Sequence, residues 1–82
     1  MASDVDKIRD HLNNNRHNEA LTLARKLARA SPGDLKVRAL LIEVLFTKGE
    51  HGAVQTELAE LERDHTGHAD VQKLRVRFKK RS

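Results

Sequence analysis

Residues 37–46 read Val37-Arg38-Ala39-Leu40-Leu41-Ile42-Glu43-Val44-Leu45-Phe46, and eight of the ten are apolar, interrupted only by Arg38 and Glu43. A run this short cannot cross a bilayer, which takes about 20 apolar residues. Periodicity alone does not separate a buried strand from a buried helix in so short a run. The flanks decide the matter, because both are amphipathic helical patterns bounded by polar turns. A helix that is apolar nearly all round has other helices on most of its sides. The run is therefore expected to form the central helix of a small all-α stack of antiparallel helix pairs.

On its N-terminal side, Ser3 is placed to cap a first helix, with Asp4 and Asp6 in the first turn where carboxylates suit the dipole. Val5, Ile8 and Leu12 recur along one face of that helix, and Asn13-Asn14-Asn15 breaks it. A second helix is expected from about His17 to Ala30, with Ala20, Leu23, Ala24, Leu27 and Ala28 facing inward. Ser31-Pro32-Gly33-Asp34 ends it and supplies a cap for the central helix. Beyond Phe46, Lys48-Gly49-Glu50 makes a turn. A fourth helix then runs from about His51 to Asp64, with Val54, Leu58 and Leu61 inward and Glu57, Glu60 and Glu62 outward. Thr66-Gly67-His68 separates it from a last segment, Ala69 to Lys80, carrying Val71, Leu74 and Phe78. Leu74, Val76 and Phe78 also alternate as in a strand, but a strand would lack a partner in an otherwise helical chain, so a fifth helix is expected.

Eighty-two residues make one domain at most. Without cysteine there are no disulfides and no thiolate metal sites. The first residues show neither the basic nor the apolar region of a secretory signal, so a cytoplasmic location is expected. The net charge of +4 is unevenly spread. Residues 1–34 carry six Lys/Arg against five Asp/Glu, residues 35–68 four against six, and residues 69–82 six against one. The chain is near neutral with a basic tail. Its two phenylalanines, with no tryptophan or tyrosine, leave little for stacking on nucleic-acid bases.

A shift of 34 residues superposes Ile8 on Ile42, His17 on His51, Thr22 on Thr56, Leu27 on Leu61, Arg29 on Arg63 and Gly33 on Gly67. The apolar register agrees, Leu12 with Phe46 and Ala20 with Val54, and a second shift sets Val37 on Val71, Leu40 on Leu74 and Ile42 on Val76. Five helices thus divide into two helix pairs and a half unit. Asn18-Glu19-Ala20-Leu21 opens the second helix of the first pair and Ala30-Ser31-Pro32-Gly33-Asp34 closes it. In this the chain resembles the tetratricopeptide repeat family. Ala20 and Pro32 match the family pattern, and so do Leu41 and Gly49. Ala24 and Leu27 invert its expected sizes, and Thr66 replaces the second proline. Asp4 and Arg38 stand where tryptophan is common, and Ile8 and Ile42 where a small residue is usual. The resemblance implies a right-handed α-solenoid fragment with repeats over 1–34 and 35–68 and a capping helix over 69–82. Each pair has an apolar face that only stacking can bury.

Such stacks present a concave surface lined by the first helix of each pair. Carried over, that geometry nominates Val5, Arg9, Leu12 and Asn13, then Ala39, Glu43, Phe46 and Thr47, then Lys73 and Arg77, with Lys80 at the end, as a partner-binding groove. Phe46 is either an aromatic anchor for a partner or core packed against the capping helix. Members of the family that clamp a carboxylate use lysine and asparagine at set positions. Val5 and Ala39 stand where such contacts would be sought, which argues against a clamp.

The histidines His65 and His68 straddle Gly67, and His11, His17 and His51 lie at helix ends, so no set of about three fixed ligands for a metal is expected. No serine is placed beside a base, and no catalytic residue or cofactor is expected. The basic patch Arg75, Arg77, Lys79, Lys80 and Arg81 has three uses open to it. It can solvate the cap, dock on an acidic partner, or contact phosphates in a salt-dependent way. The reading is a non-enzymatic module that binds another protein or peptide as a scaffold, adaptor or small chaperone. A nucleic-acid accessory role through the basic tail and homo-oligomerisation through leftover apolar surface on the central helix are the alternatives. No membrane association is expected.

Overall fold

The computed structural model describes residues 4–78, which form five helices: α1 (Asp4–Asn13), α2 (His17–Ala30), α3 (Leu35–Thr47), α4 (His51–Asp64) and α5 (Ala69–Arg77). The Ser3 cap and the tail residues Lys79, Lys80 and Arg81 lie outside the described residues. Consecutive helices pack on one another, and α1 also touches α3. Helix α3 is the hub. Val37, Arg38, Leu40, Leu41, Ile42, Val44 and Leu45 are all buried on it, as expected of a helix enclosed on most sides. Around it Ile8 from α1, Ala20, Leu21 and Ala24 from α2, Val54, Leu58 and Leu61 from α4, and Val71, Leu74 and Phe78 from α5 and its C-terminal cap complete one apolar core.

The helix starts reflect local chemistry. Asp34 caps α3, its carboxylate accepting from the amides of Lys36 (3.0 Å) and Val37 (3.4 Å). At the equivalent place before α5 stands His68, whose Nδ1 accepts from the Asp70 amide at 3.2 Å. The 34-residue spacing, thin as identities, is clear in the backbone. The amide of Arg16 donates to His11 O and that of Glu50 to Leu45 O; Ser31 donates to Leu27 O and His65 to Leu61 O; Asp34 donates to Ser31 O and His68 to His65 O. The threonine hydroxyls agree, Thr22 bonding Asn18 O and Thr56 bonding Gly52 O.

The turn within each pair needs one residue with a left-handed backbone. Asn15 (φ 60°) supplies it in the first pair and Gly49 (φ 80°) in the second. A Cβ on Gly49 would meet nothing within 4 Å, so Gly49→Ala is a purely conformational change. It is expected to lower stability by about 1–2 kcal/mol. Gly52→Ala, inside α4 and equally unobstructed, is expected to gain about 0.5 kcal/mol. Urea midpoints of the two variants check the contrast.

Two expectations need correction. The sequence pattern carries the last helix to Lys80, but α5 closes at Arg77. Phe78 turns inward as its C-cap, and the Gln55 side chain on α4 donates to the Phe78 carbonyl at 3.2 Å, holding the chain in that turn. The outward acidic row on α4 is also divided. Glu57 and Glu60 are half-buried over the cleft between α2 and α4, while Glu62 accepts from Arg75 at 2.6 Å. The α4 pattern does not show this, because the cleft exists only once α2 lies alongside.

Candidate functional site

Along α3, Leu35, Lys36, Ala39, Glu43, Phe46 and Thr47 are the residues left partly or fully open, at the spacing of one helical face. The faces of α1 and α5 adjoin it. Ala39, Lys73 and Arg77 converge on a shallow apolar recess floored by Leu35 and Leu74. One turn further on, Arg77 reaches Glu43 across the seam at 3.6 Å. Beyond that ion pair sits Phe46, 43% exposed, its ring edge-on to His51 (5.4 Å) and tilted against Phe78 (5.2 Å). The α3–α5 seam thus runs from an apolar recess, past a charged pair, to an aromatic cluster with one open face.

The remaining nominated residues lie on α1. Val5 and Leu12 are half-buried and pack against the core, while Arg9 and Asn13 are exposed. Helix α1 packs on α3, and among the described residues no side-chain hydrogen bond or ion pair joins these four to the α3 members. Phe46 lies between the two readings, packed on the capping end yet exposed. One side rests on Phe78 at the end of the last helix, and the other stays open.

Sequence reasoning missed the buried cation. Arg38, 7% exposed, is the one buried charged side chain among the described residues. Its guanidinium donates to Asp64 Oδ2 at 3.1 Å and to Pro32 O at 3.2 Å, tying the start of α3 to the end of α4 and to the preceding turn. The hydrogen bond from Arg38 holds the Asp64 carboxyl below the usual range against some desolvation, and Arg63 assists. Burial, with help from Glu60, pushes the nearby Glu57 up, although Arg38 and Arg25 oppose this. The signal was available in the lone arginine within the apolar run.

Of the proposed basic patch, the described members are already engaged. Arg75 is bound to Glu62, and Arg77 is paired with Glu43 and lies over the Phe78 ring at 5.0 Å. Among the described residues no three His, Asp or Glu side chains come together as a metal site, and His65 and His68 meet only as rings 6.2 Å apart. Among the described residues, the exposed large apolar side chains are Phe46 on α3 and Val76 on α5. No helix of the described residues is long and apolar enough to cross a membrane.

The backbone recurrence and the helix pairing have a counterpart among known families. The tetratricopeptide repeat model matches residues 11–77, most of the chain and all five helices in whole or part. The chain belongs to the tetratricopeptide repeat family. No curated protein and no solved structure gives a match. Tetratricopeptide repeats mediate protein–protein interaction and are typically non-catalytic. In tetratricopeptide terms, the seam described above lies between α3, the first helix of the second pair, and α5, the half unit that follows it.

Proposed function

We propose that this chain is a non-enzymatic interaction module that takes a segment of a partner protein along the α3–α5 seam, as a scaffold, adaptor or small chaperone of an assembly in the cytoplasm. The observation that carries the reading is the open face of Phe46. A large aromatic ring held from behind by Phe78 and from the side by His51 is pre-organised, so a partner that covers it immobilises no floppy side chain. The apolar recess at Ala39 and Leu74 gives a second foothold, and the Glu43–Arg77 pair between them fixes the register of polar groups on the incoming segment.

Buried aromatic anchors at interfaces carry about 2 kcal/mol or more on truncation. Phe46→Ala is therefore expected to weaken partner binding at least about 30-fold. Because the ring is already half in water, the variant should keep near-normal helical circular dichroism. The test is quantitative capture from source-cell lysate by wild type, Phe46→Ala and Ala39→Arg, with and without nuclease. Discrete proteins held by wild type and lost from both variants support the seam. The reading fails if both variants retain the same proteins, or if nuclease removes everything that wild type binds.

A further inference from the structure

A second surface lies away from the seam, on the outer side of α2. Arg25, Lys26 and Arg29 line a recess there together with Lys48, which reaches in from the end of α3, and the floor includes Leu21. Every charged side chain around it is cationic. Among the described residues, Arg25, Lys26 and Arg29 form no ion pair, whereas Arg38, Arg63, Arg75 and Arg77 are each matched with a carboxylate. Lys48 Nζ is positioned by Asn18 Oδ1 at 2.9 Å, so one rim of the recess is fixed by a hydrogen bond. A concave, single-sign surface raises the local potential and draws in counter-charge.

We infer that this recess is a docking site for an acidic segment of a partner protein, separate from the α3–α5 seam. Its shape and neighbours select among polyanions. Arg25 and Arg29 also border the adjoining cleft, where Glu57, Glu60 and Asp64 lie. A nucleic-acid duplex or an anionic membrane is broad, and would press its phosphates on those carboxylates as well. A single peptide strand or helix is narrow enough to stay on the cationic side. No aromatic residue lines the recess, so bases of a single strand find nothing to stack on. From Asn18 to Arg29 the face runs about 16 Å along the helix. That length suits a few carboxylates one helical turn apart, with an apolar residue over Leu21. The inference rests on the protein-interaction reading only for the class of partner; its site is different.

The probe is a fluorescein-labelled helical peptide with glutamate at every third or fourth position, compared with its glutamine counterpart and with a short DNA duplex. Fluorescence anisotropy of the full chain should show the glutamate peptide bound, weakening as salt is raised, and the glutamine peptide not bound. Arg25→Glu/Arg29→Glu is expected to weaken binding at least about tenfold. Lys36→Glu/Lys73→Glu, with the same change in net charge on the other side, should leave it within about twofold. Arg25→Gln/Arg29→Gln serves if the reversal disturbs folding. Equal losses in both pairs of variants would show unspecific attraction and overturn the site. Tighter binding of the duplex, lost in the Arg25/Arg29 variants, would overturn the partner class. Phe46→Ala is expected to bind the acidic peptide normally, so failure of the seam and failure of this site are told apart.

Discussion

Replacing Ile42 with alanine is expected to cost about 4 kcal/mol, whereas the same truncation of Val76 costs less than about 0.5 kcal/mol. The two residues occupy one position of the 34-residue repeat, and Ile8 is the third. Ile8 and Ile42 are fully buried, while Val76 is 78% exposed. The difference lies in the neighbour each helix has. Helices α1 and α3 each lead into an antiparallel helix that covers this side, and among the described residues α5 leads into none. Removing the Ile42 side chain forfeits its transfer energy and leaves a cavity in the hub helix, which is pinned by neighbours on several sides and cannot collapse inward. A chain of 82 residues has a total stability of about 4–12 kcal/mol. Ile42→Ala is thus expected to bring the protein to the edge of unfolding. Chemical denaturation monitored by circular dichroism measures both variants, and a Val76→Ala loss as large as that of Ile42→Ala would refute the account.

The second large effect concerns Arg38. Truncation to alanine removes a packed aliphatic stem and the two hydrogen bonds that join α3 to Asp64 and Pro32. Severing a fully buried pair costs about 3–5 kcal/mol because the partner is left charged and dry. Here the Asp64 side chain is 46% exposed and regains water when its partner goes. The expected loss for Arg38→Ala is therefore smaller, about 2 kcal/mol. Arg38→Met keeps most of the stem and is expected to lose about half as much. The pair also sets an acid response. Asp64 has its folded-state pKa lowered by Arg38, so its contribution is present above the unfolded value and disappears as the pH falls below about 4. Glu57 acts in the opposite sense: its raised pKa means that folding is favoured as it takes up a proton, at higher pH than Asp64 does. Urea midpoints of wild type and Asp64→Asn at neutral, mildly acidic and strongly acidic pH should converge at the lowest pH. A gap that stays constant with pH would remove Asp64 from the explanation.

These two residues also mark what the amino-acid order discloses. The apolar run around Ile42 announces a hub helix, because eight apolar residues in ten need company on nearly every side. Asn15, Gly49 and Asp34 mark the breaks by chemistry that acts over three or four residues. Arg38 is visible in the sequence as a lone arginine in the apolar run and a departure from the family's preference for tryptophan. Its role depends on Asp64, which lies 26 residues away and comes near only after α4 folds back. The same limit hides the division of the α4 glutamates and the recess on α2, since each is made by residues from two or more helices. For Phe46, sequence leaves anchor and core both open; the ring packs on Phe78 and keeps one face exposed.

The principal packing joins each helix to the next one along the chain, with links of only three or four residues between them. Almost no loop entropy separates one contact from its successor. Such a chain should assemble quickly, on the microsecond-to-millisecond scale of local topologies, with α2 and α3 closing first and the outer helices condensing on them. The same order run backwards means that α5 is the first helix to open. Amide hydrogens on α5 should exchange well before those on α3. The α3–α5 seam would therefore be lost by local opening while the centre of the protein is still folded.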